Sequence, residues 1–253
     1  MILRRPVLEY YLKNTFTVFG WFLLVYTGIF ALTVIGLGVV VIVGEGSQGS
    51  FGGFEGIAVL CLFIVALNSF REEFHLFLQL GVSRKGAFAG YALHALIASA
   101  LIAVVALIGD ALYSWIATLV GSSMEVASLF SQFYGQWMES GGGIFGMFLW
   151  TWTLFLSVSV FGYFLTNLFY RLGKLGKVLV PATAGVLLFV VLPILNWITD
   201  GWMLNTIGNV VATIFRGNGE IASPVNSMIF FFASAVIGFV LCWLLMRRAP
   251  LKK

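Results

Sequence analysis

The charged positions of the chain fall in clusters, and long apolar stretches separate them. No Asp, Glu, Lys or Arg occurs in 14–44, 86–109, 140–170, 178–199 or 221–246, and a shorter uncharged run covers 56–70. An α-helix rises 1.5 Å per residue, so about 20 residues cross the hydrocarbon of a bilayer. The pattern predicts six membrane-spanning helices near 17–43, 53–69, 86–108, 144–169, 178–198 and 225–246. A seventh, at 111–124, is too short and is broken by Gly121-Ser122-Ser123.

Composition agrees. Of 253 residues, 60% are hydrophobic and 9% charged, with a mean hydropathy of +1.03. Soluble domains carry about a quarter charged residues, and no water-soluble core of this length hides so much apolar surface. The expected fold is a single all-α integral membrane domain over 1–253. Cys61 and Cys242 both lie in apolar runs and read as reduced packing residues. No secretory signal is expected: the first apolar run is too long for one, and no A-x-A-like site ends it.

The basic residues set the orientation. Six spans put Arg4, Arg5, Lys13, Arg71, Arg84, Lys85, Arg171, Lys174, Lys177, Arg247, Arg248, Lys252 and Lys253 on one side, with Arg216 alone opposite. By the positive-inside rule the crowded side is the cytoplasm and holds both termini. The net charge of +4 is therefore a topology signal and an anionic-lipid contact, not a nucleic-acid footprint. Trp137, Trp150, Trp152, Trp197 and Trp202 fall near outer ends and read as an interfacial belt.

Two segments on the basic side carry more than topology. In 1–15, Arg5, Glu9 and Lys13 form a polar stripe, with Leu8, Tyr11 and Leu12 elsewhere on the helix to dip into lipid. That predicts a short interfacial helix. The stretch 68–90 reads NSFREEFHLFLQLGVSRKGAFAG. Ser69 with Glu72 forms a capping box, Gly81 suits a left-handed C-cap, and Ser83 can cap the next helix. The residues 70–80 are thus expected to form a separate helix with Phe70, Phe74, Phe77 and Leu78 on one face. Such a helix can dock in a partner's groove or rest on lipid, and Glu72-Glu73 disfavours anionic headgroups.

The pattern R-E-E-F-x-x-F-x-x-L-G-V-S-R-K between spans two and three resembles the coupling helix region of ABC-2-type permeases, the membrane subunits of bacterial ABC exporters. A narrower resemblance is to small Gram-positive permeases that export amphipathic peptide toxins and antimicrobial peptides. The resemblance implies that Arg71, Glu72, Glu73, Phe74, Phe77, Gly81 and Arg84 transmit the stroke of a cytoplasmic ATPase. It implies that ATP and Mg bind that partner and not this chain. It also implies a second copy or a related permease as partner, and a short re-entrant helix outside, between spans five and six, within 199–224.

Other motifs dissolve on inspection. G-E-G-S-Q-G at 44–49 matches a dinucleotide fingerprint, but it ends an apolar span and not a strand, so it reads as an outer turn. No Walker A occurs; Gly173-Lys174-Leu175-Gly176-Lys177 lacks its first glycine and its Ser/Thr. His75 and His94 have no Cys or carboxylate at metal spacing, and no catalytic set stands out. Gly86-x-x-x-Gly90 and Gly142-x-x-x-Gly146 are helix-packing pairs. Asp110, near the outer end of span three, is either a functional intramembrane acid or a headgroup residue. The expected function is transport of an amphipathic or hydrophobic cargo across a bacterial cell membrane. The rival class is an ATPase-independent channel, carrier, immunity protein or sensor.

Overall fold

A computed structural model describes residues 5–43, 50–52, 55–119, 125–137, 143–216 and 222–247. Among them are nine α-helices, one π-helical turn and two three-residue strands. Helix α1 (Arg5–Val43) runs 39 residues without a break, so no separate interfacial helix ends near residue 15. Pro6 sits in the first turn, where its missing N–H costs nothing, and no glycine interrupts the chain before Gly20. Tyr11, expected in lipid, is buried against α3 (Arg84–Leu119).

Helix α2 (Glu55–Gln79) is likewise one 25-residue rod, and the separate helix expected over 70–80 is its last three turns. Its cause is local. Asn68 Nδ2 donates to the Ile64 carbonyl at 3.0 Å and Ser69 Oγ to that of Val65 at 2.9 Å. Both side chains satisfy themselves on the preceding turn, so Ser69 does not cap. Helix α3 continues 36 residues, well past 108, and takes in most of the run 111–124 that is too short for a span of its own. After it come β2 (Glu125–Ala127) and α4 (Leu129–Trp137), which is kinked at Tyr134.

Helix α5 (Gly143–Arg171) leads into α6 (Lys174–Val186), a π-helical turn over Leu187–Val191, and α7 (Leu192–Ile198). Pro193 cannot donate to the carbonyl of Phe189, and the widened turn ahead of it accommodates the proline ring. Asp200 and Gly201, both at positive φ, turn the chain into α8 (Trp202–Arg216), and α9 (Pro224–Arg247) closes it. Strand β1 (Ser50–Gly52) pairs in parallel with β2 through Ser50↔Glu125, Phe51↔Val126 and Gly52↔Ala127. This ladder is the one departure from an all-helical fold among the described residues. The glycine-rich turn at 44–49 lies outside them.

Four helices are long and apolar enough to cross a membrane: Glu9–Gly36 within α1, Arg84–Leu119, Gly143–Arg171 and Pro224–Arg247. The apolar parts of the other two expected spans, Glu55–Ser69 and Phe189–Ile198, are shorter. Helix α5 is central, packed on α2, α3 and α9, while α1 lies on α3. At the end carrying Arg84 and Arg247, the core joins Val7 and Tyr11 of α1, Phe77 of α2, Tyr91 of α3, Tyr163 of α5 and Met246 of α9. A second core links α1, α2, α3 and α5. A third, around Phe130, Tyr134, Trp150 and Phe231, closes the opposite end.

That third core corrects part of the tryptophan belt. Trp150 is 1% exposed, and its Nε1 donates to Ser227 Oγ of α9 at 2.9 Å; Trp152 Nε1 donates to Ser99 Oγ of α3 at 3.1 Å. Trp197 and Trp202 are exposed as expected. No residue of α6 or α7 whose side chain is described is buried.

Glycines set the closest approaches. A β-carbon at Gly90 would collide with the ring of Tyr11, whereas at Gly20 it would meet nothing within 4 Å. Gly90→Ala is expected to destabilise the purified protein by about 1–3 kcal/mol, read as a lowered melting temperature in detergent. Gly20→Ala should leave the melt unchanged.

Candidate functional site

The basic end of the bundle is built around the α2–α3 turn. The Gly81 φ is +69°, and the Val82 N–H donates to the Phe77 carbonyl at 2.8 Å. This is the six-residue closure of a Schellman cap, which stops α2 abruptly. Two residues on, Ser83 Oγ accepts the Gly86 N–H at 3.2 Å and starts α3 as its N-cap. Helix end and helix start are thus fixed within four residues, and the turn has little freedom.

Its neighbours hold it from two sides. Phe77 is 2% exposed. Its ring stacks on Tyr11 with centroids 5.2 Å apart and meets Tyr10 edge-on at 5.1 Å. Tyr11 Oη in turn donates to the Ala87 carbonyl of α3 at 3.1 Å. On the other side Arg84 Nη1 donates to the Arg247 carbonyl at 2.7 Å, so a cation caps the negative end of the α9 dipole. Two apolar side chains of the turn face outward, Leu76 at 40% and Leu80 at 67% exposed, beside the exposed polar Gln79, Ser83 and Lys85.

The structure therefore brings Phe77, Gly81 and Arg84 together. Arg71, Glu72, Glu73 and Phe74 lie in the last turns of α2, with side chains outside the described residues. Phe77 points inward to α1, so the apolar residues facing outward beside the turn are Leu76 and Leu80. The role of Tyr10, Tyr11 and Arg247 is not visible in the sequence. Their partners Phe77, Ala87 and Arg84 are 67, 76 and 163 positions away, and nothing local announces them.

A second polar group lies at the opposite end. Asp110 is 6% exposed and Glu55 0%, so both acids are buried within the bundle. Glu55 Oε2 accepts the Leu129 N–H at 2.9 Å, a carboxylate at the N-terminus of α4. The Tyr26 hydroxyl sits where Gly109 has no side chain, beside Asp110. An open apolar groove of about 370 Å³ between α1 and α3 has Tyr26 and Thr27 in its wall.

Nearby, Tyr134 Oη lies 2.7 Å from both the Phe215 carbonyl and Ser227 Oγ, and Trp150 shares Ser227. One knot thus joins α4, α5, α8 and α9. Burial pushes the Tyr134 phenol above its usual value, against smaller opposite effects of its bonds to Ser227 and Trp150. It stays a protonated donor at neutral pH.

No group of three His, Cys, Asp or Glu able to hold a metal occurs among the described residues. The fold defines a helical protein with the build of a membrane protein, its polar groups turned inward. Compared with protein-family models, with curated proteins and with solved structures, the chain finds no match.

Arg84→Gln removes the charged cap of α9. Amide exchange in the last turn of α9 should quicken by roughly tenfold, the equivalent of about 1.4 kcal/mol. Lys85→Gln should leave it unchanged, as read by hydrogen–deuterium exchange with mass spectrometry.

Proposed function

We propose that the chain is the membrane subunit of an ATP-driven ABC exporter of the ABC-2 type. The observation that carries this reading is the α2–α3 turn: capped on both sides, pinned to α1 and α9, and presenting Leu76 and Leu80 outward. A turn of that kind takes a push from a docked protein without deforming. The partner is a cytoplasmic ATPase that binds ATP and Mg, and Arg71, Glu72, Glu73 and Phe74 complete its docking surface. Phe77, Gly81 and Arg84 act by holding the turn rigid.

In this reading the helical run 174–198 and the rod of α2 are the fifth and second of six crossings. Both termini are cytoplasmic in the plasma membrane of a bacterium. A second copy, or a related permease, completes the pathway. The cargo is amphipathic or hydrophobic, such as a peptide toxin, antimicrobial peptide, drug or lipid, because the spans carry almost no charge. The buried acids Glu55 and Asp110 favour a second reading, an ATPase-independent carrier, since ionisable groups inside a membrane commonly mark ion or proton paths.

Affinity purification from the native host separates the two. An ATPase with Walker motifs should come with the chain, and Leu80→Asp or Glu73→Arg should release it without lowering the melting temperature. Purification without any ATPase, or an association and export indifferent to both substitutions, rules out the exporter. Single cysteines at positions 125 and 75, in a background lacking Cys61 and Cys242, should label from opposite sides of the membrane. Equal labelling from outside refutes the six crossings.

A further inference from the structure

Where α1, α2, α3 and α5 meet, α3 carries a buried imidazole, His94, 4% exposed. Its Nδ1 lies 2.6 Å from Thr15 Oγ1 of α1. Thr15 has one hydroxyl proton, and it goes to the Tyr11 carbonyl at 2.7 Å. With that proton on the Tyr11 carbonyl, the ring is the donor in its bond to Thr15, an assignment in which Nδ1 carries the proton and the neutral imidazole presents a lone pair at Nε2. Among the described residues, the hydrogen bonds of His94 end with Thr15.

Beside the ring is a cavity of about 10 Å³, room for one water molecule. Its polar wall is His94 and Tyr91 of α3, Ser69 of α2 and Ser159 of α5; the rest is apolar. Ser69 donates its proton to the Val65 carbonyl at 2.9 Å, and Tyr91 donates its own to the Ser159 carbonyl at 3.1 Å. The Ser69 oxygen can still accept. A lone pair on one wall and an acceptor oxygen on another fit a small ligand that donates twice.

The charge balance selects which ligand. Among the described residues, the titratable groups around the ring are phenols: Tyr11 of α1, Tyr91 of α3 and, stacked on Tyr91 at 3.4 Å, Tyr163 of α5. No carboxylate is among the described residues that line the cavity, and against that lining an ammonium or metal cation would be buried without a counter-charge. A neutral donor of that size is water.

We propose that this cavity is a binding site for a single water molecule. The water donates one proton to His94 Nε2 and the other to Ser69 Oγ, with the Ser159 hydroxyl as its third partner, the usual number for a buried water. Through it the hydrogen bonding that starts at Tyr11 and Thr15 of α1 reaches α2 and α5, so four helices share one polar circuit inside the bundle. The site stands on this geometry alone and does not depend on the exporter reading.

The test uses the full chain in lipid nanodiscs, isotopically labelled, with the two histidine signals assigned by His75→Gln. At neutral pH the His94 ring should show the Nδ1-protonated tautomer and cross-relaxation with a water bound longer than surface water. In Ser159→Val, whose extra methyl fills the cavity, the water signal should vanish while the tautomer persists. An Nε2-protonated ring, the absence of bound water beside it in the folded wild type, or a water signal unchanged in folded Ser159→Val overturns the proposal. Where Ser159→Val does not fold, the wild-type spectra decide.

Discussion

Hydrocarbon offers no partner to a hydroxyl, an amide or an indole N–H, so a polar group inside this bundle closes on protein or on a buried water. Most close on their own helix. Thr15, Thr33, Ser99, Thr153 and Thr183 all donate to a carbonyl three or four positions back. Those bonds cost no specificity and fix no neighbour. The bonds that fix the fold are those that cross between helices, among them Tyr11 to Ala87, Thr15 with His94, Tyr91 to Ser159, Trp152 to Ser99, Thr166 to Leu67 at 2.7 Å, Trp150 to Ser227, and Ser157 with Ser234 at 2.7 Å. Apolar packing alone has little preference for helix over lipid tail, so these contacts and the glycines at close crossings select the arrangement.

The result is uneven. Helices α5 and α9 are held both through the tyrosine and arginine contacts toward the basic end and by the Tyr134–Ser227–Trp150 knot at the other, while α2 and α3 are tied by the contacts toward the basic end. The run from α6 to α7 has no buried residue among its described side chains; Asn196 accepts the Leu204 N–H of α8 at 3.1 Å, and a π-helical turn interrupts the run near mid-length. Helix α8 is bound to the rest through α9 and the α7 turn. Two mechanical regimes thus sit in one chain: a locked set of helices and an arm beside it.

Much of this was legible in the sequence. Long uncharged stretches give long apolar helices, because in lipid a helix is the one local way to satisfy the backbone. Gly81 and Ser83 gave away the ends of α2 and α3, since cap chemistry is local. The errors came where a local signal met a stronger local competitor or a distant partner. Ser69 looked like a cap but bonds backward, and the stripe of Arg5, Glu9 and Lys13 hid that Tyr11 is gripped by α3. Trp150 lies seven residues from the start of α5 yet faces inward, because Ser227, far along the chain, supplies an acceptor. Asp110 could be placed inside the bundle only once α3 was seen to continue past it to Leu119.

Consider, finally, what the closed turn between α2 and α3 does to motion. Neither rod has a glycine kink or proline inside its span that breaks it; they run 25 and 36 residues, or about 37 and 54 Å at the helical rise. With the turn capped on both sides, the pair behaves as a lever rather than a hinge. A tilt of about 5° at the basic end displaces the far tip of α3 by about 5 Å, roughly the rise of one helical turn. That tip leads to the strand ladder and lies on the same helix as Asp110. Under the exporter reading, a small push at the turn would reach Asp110 and the ladder magnified by the length of the rod alone.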